Sequence, residues 1–519
     1  MNGILDCRLR NVHVLRNIRV LLLSVLISGS MLGWPTVASA FNDETASDIP
    51  ISIGSRRELF VDEFLIESRK NTQLILHHPQ PQEIALHCDR PWEGNTCIYF
   101  RIIPDGGRYR MWYQGAHWKL DPDDTFPEHP YFICYAESTD GIHWERPSLG
   151  LHEYQGSKDN NICVTGVYDN FTPFLDTNPN CPPESRYKAV GQAKPRGLIA
   201  HHSPDGIHWS PLGSKPIIEQ GAFDTQNVVF WDSSINQYRA YIRDFHDGLR
   251  DIRLALSPDF RTWTTPERIK LTPEFPGEQH YTNCIAPYYR APHLYFGFPG
   301  RYVERNWSPS MKALPDLRHR ELRAKKEQRI GTAISDEVFM SSRDGLNFHR
   351  WGEAFLRNGP EREGNWVYGD CYQAYGLIET PSKLPGAAKE LSIFVPEDYW
   401  KQTVKMRRYT LRIDGFVSAH APLEGGELLT RPFRFEGSRL SLNFATSAAG
   451  SLYVELTDAA GKPIPGFSRA DADEQFGDTL DRTVTWKNSS DVSALVGKTV
   501  RLRFELRDAD VYSFQFADH

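Results

Sequence analysis

Five acidic residues stand out by type and position. They are Glu93 in Pro91-Trp92-Glu93-Gly94-Asn95, Asp169 in Tyr168-Asp169-Asn170, Asp224 in Phe223-Asp224-Thr225-Gln226-Asn227, Glu278 in Gly277-Glu278-Gln279-His280-Tyr281, and Asp370 in Tyr368-Gly369-Asp370-Cys371-Tyr372. Each opens one of five similar stretches of chain. Carboxyls flanking a glycosidic bond can divide its cleavage: one protonates the leaving oxygen, while another attacks the anomeric carbon or activates water. A third carboxylate nearby shifts both by like-charge repulsion. His280, next to Glu278, can bond a hydroxyl or tune the acid. Trp92, Tyr281 and Trp366, with Tyr399 and Trp400, offer the flat apolar faces and polar edges that suit a sugar ring. For any one acid, or for His280, an idle turn residue is an equally open reading, and for any one ring inter-blade packing is favoured. Asp244 and Glu397, which follow strand-like runs, are reserve acids.

The elements that must position these groups are announced by a repeated phrase. It runs Ser138-Thr-Asp-Gly-Ile-His-Trp144, Ser203-Pro-Asp-Gly-Ile-His-Trp209, Ser257-Pro-Asp-Phe-Arg-Thr-Trp263 and Ser342-Arg-Asp-Gly-Leu-Asn-Phe348. Recurrence at blade-length intervals in a β-patterned chain signals a propeller. Asp-Gly suits a tight turn between antiparallel strands, because Gly accepts positive φ and Asp bonds its own backbone. The closing aromatic is expected between neighbouring sheets. The phrase is scaffolding, and its Asp140, Asp205, Asp259 and Asp344 belong in outer turns.

Dividing the chain at the phrase gives five units of short aromatic strands, each with room for about four strands of typical length. The fifth lacks the phrase. The fourth is lengthened by a charged insertion, Glu304–Arg329, with a helix expected around Leu317–Gln328; solvated decoration is favoured there over a lid. Past Ala421 the pattern changes to clean apolar/polar alternation, as in Leu452-Tyr453-Val454-Glu455-Leu456 and Val500–Leu506, which is that of an antiparallel sandwich. The expected fold is all-β: a five-bladed β-propeller over 59–421 followed by a C-terminal β-sandwich over 422–519. A leader over 1–40 and a lead-in linker over 41–58 precede them.

The leader is read from Arg8, Arg10, Arg16 and Arg19 ahead of the apolar run Val20–Trp34, with Ala38-Ser39-Ala40 as a small-residue cleavage site. The mature chain is expected to start near Phe41 and to be secreted or periplasmic. No later run reaches the roughly 18–20 apolar residues of a membrane span. The 519 residues carry a formal net charge of −7, so nothing favours nucleic acid or an electrostatically bound membrane. Of 8 cysteines, Cys7 is in the leader; Cys88 and Cys97 flank one loop and could pair, and at least one thiol is left over. No Cys/His spacing suggests zinc, and no cofactor is expected; an axial Ca²⁺ is conceivable, but no loop has the ligand spacing.

Trp92–Phe100 running into Tyr109-Arg110-Met111-Trp112-Tyr113-Gln114-Gly115 resembles the first blade of the invertase/inulinase-like glycoside hydrolases of family 32. Phe223–Asp232, followed by its Tyr238 strand, is similar to that family's Arg-Asp-Pro segment. The related arabinanase/xylosidase-like family 43 shares the propeller and the three-acid logic. The resemblance implies a hydrolase cleaving terminal glycosidic bonds of a poly- or oligosaccharide, with Glu93 as nucleophile or base, Asp224 as transition-state stabiliser and Glu278 as general acid. Trp92, Asp169, His280, Tyr281, Trp366 and Asp370 would bind substrate. The sequence departs from the family: Glu93 stands where it has Asp, Asp224 lacks the Arg and Pro neighbours, and no Glu-Cys-Pro occurs. Two other readings stand beside it. One is a non-catalytic glycan-binding propeller. The other is a sialidase-like hydrolase, suggested by the repeated phrase, which would need an axial arginine triad and a tyrosine nucleophile.

Overall fold

The computed structural model describes residues 49–121, 123, 124, 126–167 and 169–518. The expected leader and most of the lead-in therefore lie outside the described residues. Five antiparallel sheets make the five expected blades. The first comprises Ile98–Asp105, Arg108–His117, His129–Ser138 and Ile162–Val164, and the second Phe171–Leu175, Tyr187–Gln192, Leu198–Ser203 and Ser210–Pro211. Val228–Asp232, Gln237–His246, Leu249–Ser257 and Glu267–Arg268 form the third. The fourth contains Ala286–Tyr288, Ala291–Gly297, Met340–Ser342 and Asn347–Arg350, with Lys270–Thr272 added in parallel at its edge. Ile378–Thr380, Glu390–Glu397 and Val404–Leu411 supply three strands of the fifth.

The fourth strand of the fifth blade comes from the other end of the propeller. Gln80–Cys88 pairs antiparallel with Val404–Leu411, from Cys88 opposite Val404 to Gln80 opposite Thr410. Early and late segments are thereby zipped into one sheet, and the ring closes. The strands before it do not belong to the propeller. Ile51–Gly54, Glu58–Leu59, Ile66–Lys70 and Gln73–Leu76 join the sheet of the C-terminal strands. The expected boundaries therefore need correcting: the sandwich is built from both ends of the described chain, and 59–76 belongs to it. The reason is ordinary burial. Ile53, Phe60 and Leu65 pack with Phe433, Leu442, Trp486, Phe504 and Phe514 in one core, each such side chain contributing about 1.5–3 kcal/mol. Asp414, fully buried, ties the two parts together by accepting from Tyr288 Oη (2.7 Å), Arg290 Nε (3.0 Å) and Ser513 Oγ (2.8 Å).

The repeated phrase does what its chemistry foretold. In every copy the Ser hydroxyl donates to Asp Oδ1, and that oxygen accepts two backbone N–H groups further on: from Ile142 and His143, Ile207 and His208, Arg261 and Thr262, and Leu346 and Asn347. The turn is also a clamp between blades. Trp112 Nε1 of the first blade donates to Gly206 O of the second (2.8 Å), and Tyr241 Oη of the third to Gly345 O of the fourth (2.7 Å). Gly206 and Gly345 have φ of +75° and +76°, and a Cβ would strike Trp112 in one and Arg239 in the other.

The insertion in the fourth blade holds the expected helix but departs from expectation in what it does. It hangs from the hairpin Gly300–Glu304 and Ala333–Glu337, and folds into helices Pro309–Ala313, Leu317–Lys326 and Gln328–Thr332. Ser308 caps the first by accepting from Met311 N, with Pro309 opening it. The middle helix has few apolar residues, yet it is anchored. Arg320 donates to Trp366 O and Asn365 O (2.7 and 3.0 Å), and Lys326 Nζ sits 3.7 Å above the Trp118 ring. Lys401 pairs with Asp316. It is a cover spanning fourth, fifth and first blades, rather than a solvated decoration.

If the phrase clamps the blades, Asp205→Ala leaves two backbone N–H groups and the Ser203 hydroxyl without their acceptor. The expected loss is about 1–2 kcal/mol of stability, read as a lower melting temperature; an unchanged melt would remove the clamp from the account.

Candidate functional site

The inner strands begin in strained backbone. Tyr99, Asn170, Cys284 and Cys371, at the axial starts of blades one, two, four and five, have φ of +57°, +29°, +44° and +58°. Such conformations cost roughly 1–3 kcal/mol each in non-glycine residues and gather where geometry is functional. Polar side chains stitch these starts together. Asn170 Nδ2 donates to Phe223 O (2.6 Å), Thr225 Oγ1 to Tyr281 O (2.9 Å), and Gln226 Nε2 to Phe100 O (3.2 Å).

On this frame stands a layer of aromatic rings. Tyr281 stacks on Tyr372 at 5.3 Å, and its hydroxyl meets that of Tyr368 at 2.6 Å. Tyr302, Tyr399 and Trp400 continue the layer, and Ile330 and Ala333 of the insertion close over it. Arg243 lies 4.7 Å from the Tyr281 ring centre, Arg250 4.3 Å from that of Tyr302, and Arg329 5.6 Å from that of Tyr368.

Two of the expected acids share an arginine at this layer. Asp224, 55% exposed, forms an ion pair with Arg243. Asp169 is half-buried, feels the same guanidinium, and takes a hydrogen bond from Asn170 N at 2.7 Å. Burial raises the Asp169 carboxyl to about 6, against the lowering by Asn170, Gln114 and Arg243. Asp224 is thus ion-paired with Arg243 beside Tyr281, while the Asp169 carboxyl, under the same charge, holds its proton to near pH 6.

The remaining site residues are placed elsewhere. Glu93 is fully buried inside the first blade, where its carboxylate pairs with Arg146 (2.8 Å) and accepts from Tyr113 Oη (2.6 Å) and Arg90 N (2.9 Å). Burial raises it, and Arg146 and Tyr113 oppose that. Trp92 belongs to the same network through Asn161 Oδ1 (2.6 Å). This arrangement leaves Glu93 no free face for a substrate. Glu278 sits among His280 (3.5 Å), Arg301 (3.5 Å) and Arg350. Burial pushes it up, but His280, Arg350 and Arg301 bring it below the ordinary range, which is opposite to what a proton donor needs. His280 faces Glu278, while its neighbour Tyr281 turns into the aromatic layer. Asp370 is buried and caps its own loop, accepting from Trp366 N and Asn358 Nδ2 (both 2.9 Å). Burial raises Asp370 to about 6. Trp366 is held by that loop, its Nε1 donating to Gly359 O (2.9 Å). The reserve acids Asp244 and Glu397 are paired with Arg253 (2.9 Å) and with Arg407 and Arg362 (2.8 Å each).

Sequence reasoning missed the opening. A cavity of about 720 Å³ lies over the first two blades, lined among others by Trp118, His129, Tyr131, Gln192 and His201. That is the size of a small-ligand pocket. Gln192 links it to the acids, since its backbone N–H donates to Asp169 O (3.3 Å), and Tyr131 links it to Tyr399 of the aromatic layer. Burial lowers His201 to about 4 and lowers His129 too, so both imidazoles are neutral at pH 7. His129 has carbonyl oxygens at both ring nitrogens, Pro130 O (2.8 Å) and Pro91 O (3.0 Å), whereas His201 donates from Nδ1 to Ile199 O (3.2 Å) and keeps Nε2 to accept from a hydroxyl. The residues come from strand ends and loops, and nothing in their spacing shows that they converge. Among the described residues no cluster of three or more His, Cys, Asp or Glu side chains could hold a metal ion. Cys88 and Cys97 lie thiol to thiol as free cysteines.

No family model matches the chain. Two uncharacterised proteins, from two strains of Mycobacterium tuberculosis, are each 28% identical over 144 residues, 26% of this chain and 39% of theirs. The chain thus matches well under half the length of these relatives. Among solved structures it is similar to a family 43 arabinoxylan arabinofuranohydrolase from Bacillus subtilis in complex with cellotetraose (12% identity, 85% of this chain and 99% of that one, TM-score 0.39). The family 32 β-fructofuranosidase of Bombyx mori gives 8%, 86% and 94%, and 0.36. An N-acetylgalactosamine deacetylase from F. plautii, in complex with blood group B trisaccharide, gives 13%, 72% and 96%, and 0.38. The two families that the sequence resembles are therefore both met again, while the blade count rests on the chain's own strand pairing.

Two outcomes follow from the placement of the acids. Glu93→Ala breaks a buried ion pair and is expected to destabilise the chain by several kcal/mol without altering ligand binding at the cavity, as read by calorimetry on the folded fraction. Asp370 has its folded pKa raised from 3.8 to about 6, so its ionisation opposes folding as pH rises across that interval. The melting-temperature advantage of Asp370→Asn over wild type is expected to grow from pH 4 to pH 6 and then level off; a difference flat with pH would refute it.

Proposed function

We propose that the chain is an exported glycoside hydrolase acting on terminal sugars of a poly- or oligosaccharide, with Asp224 kept from the acids that the sequence favoured and Asp169 in place of Glu93 and Glu278. The observation that carries this reading is the pair itself. A carboxyl raised to about 6 and an ion-paired carboxylate share the charge of one arginine, Arg243, which lies against Tyr281 of the aromatic layer, and the Asp169 backbone adjoins the cavity through Gln192. In this reading the protonated Asp169 gives its proton to the leaving glycosidic oxygen. Asp224, oriented by Arg243, attacks the anomeric carbon or takes a proton from the attacking water. Trp118 and Tyr131 supply the stacking face, and His201 bonds a hydroxyl through Nε2. The arginines against Tyr281, Tyr302 and Tyr368 justify acid-bearing sugars in the substrate panel.

Asp169→Asn and Asp224→Asn are each expected to lower kcat by at least about 10²-fold while leaving Kd for the product sugar nearly unchanged, measured on aryl glycosides and natural polysaccharides. Activity is expected to fall above pH 6 as Asp169 loses its proton. Full activity in both variants removes the pair from the mechanism. The second reading, a glycan binder without hydrolysis, is favoured by the burial of Glu93 and the ion pairing of Glu278; wild-type chain that binds oligosaccharides and cleaves none would establish it.

A further inference from the structure

Two thiols meet where the ring closes. Cys88 ends the strand Gln80–Cys88, opposite Val404 of the fifth blade, and Cys97 directly precedes the inner strand of the first. Eight residues separate them in the chain, and both are fully buried in one core with Met111, Tyr113, Phe394 and Met406. The Cys97 thiol donates to the Cys88 sulfur. Other described thiols turn to different partners. Cys163 donates to Ile133 O (3.3 Å), Cys181 to Ser185 O (3.2 Å) and Cys284 to Gln226 Oε1 (3.2 Å), while Cys371 accepts from Asn358 Nδ2 (3.6 Å). Cys134 shares the core of Cys88 and Cys97 and is an electrostatic neighbour of both.

The loop between the two thiols is a hub. Its Asn95 side chain holds the Trp118 backbone at both ends, donating from Nδ2 to Trp118 O (2.8 Å) and accepting at Oδ1 from Trp118 N (3.0 Å). Asn95 O accepts from Trp400 N (2.8 Å). Trp118 walls the large cavity, and Trp400 belongs to the aromatic layer. A bond across the ends of this loop would fix both the strand that closes the ring and the residues that hold the cavity wall.

We propose that Cys88 and Cys97 form a disulfide during folding, by exchange with a disulfide-bearing oxidant, and that this bond fastens the ring closure. The thiol pair described here is its reduced form. Burial raises both thiols and shuts out an oxidant once the ring is closed, so exchange belongs to the chain whose Gln80–Cys88 has not yet met Val404–Leu411. There the Cys88 thiolate attacks the oxidant's disulfide, releasing one of its sulfurs as a thiolate and leaving a mixed disulfide. The Cys97 thiolate then attacks the Cys88 sulfur and expels the second. The two cysteines lose two electrons, the oxidant is reduced to two thiols, and the two cysteine protons end on its sulfurs. The pairing is independent of the hydrolase reading and is read by mass and stability rather than activity.

The test translates the full chain in vitro in two mixtures, one poised with reduced and oxidised glutathione and one held in reductant. Each product is alkylated under denaturing conditions and digested with a protease that cuts after Glu93. In the glutathione product the peptides holding Cys88 and Cys97 are expected as one disulfide-linked species, with Cys134 alkylated. That product is also expected to melt a few degrees above the reduced one, and Cys97→Ala is expected to abolish the difference. Should that variant not fold, the two wild-type products decide. Alkylation of both Cys88 and Cys97 in the glutathione product, a link from either to Cys134, or equal melting of the two wild-type products overturns the proposal.

Discussion

Everything at the axis depends on one act of pairing, the alignment of Gln80–Cys88 along Val404–Leu411. Five sheets in a row are an open arc, whose inner strands have no reason to point at a common centre. Backbone hydrogen bonds between an early and a late strand turn the arc into a ring. Once it is closed, inner-strand starts far apart in sequence face one another across a few ångströms. The strained φ values of Tyr99, Asn170, Cys284 and Cys371 are sustained because neighbours on every side fix them. The clamps at Gly206 and Gly345 keep the angle between blades constant.

The scaffold was legible because its signals are local. Asp-Gly turns, alternating strands and closing aromatics each act over a few residues, so blade number and the outward position of Asp140, Asp205, Asp259 and Asp344 could be read directly. The domain boundary was not, because the membership of Ile51–Leu76 is decided by partners such as Phe433 and Phe514 near the other end of the chain. The insertion misled for a related reason. A helix of Arg, Lys and Glu looks solvated until Trp366 O and the Trp118 ring are seen to receive its cations.

The acids divide along the same line. An Asp or Glu at the start of every unit is visible in the sequence, but whether it faces a ligand depends on which arginine arrives beside it. Arg146 takes Glu93 into the first blade, and Arg350 and Arg301 hold Glu278 outside the aromatic layer. Arg243 instead leaves Asp224 exposed, and its charge reaches Asp169 as well. None of these pairings follows from spacing, since each joins residues from different strands or loops.

Because the first and last described strands share one sheet, the propeller is, in topological terms, an insertion within the sandwich. A chain emerging from the ribosome presents Ile51–Leu76 ahead of the blades. Those strands must wait for more than three hundred residues before Val417–Ala421 and Val500–Ala517 arrive to receive them. Gln80–Cys88 waits almost as long for its partner in the fifth blade. The first four blades are built from consecutive stretches that can form as they appear, while both closures wait for strands from Val404 onward. Long-range pairing of this kind is slow and leaves edges unsatisfied meanwhile. The molecule therefore passes through a stage of nearly complete blades with an unclosed ring, and that is the species on which a chaperone or a protease would act.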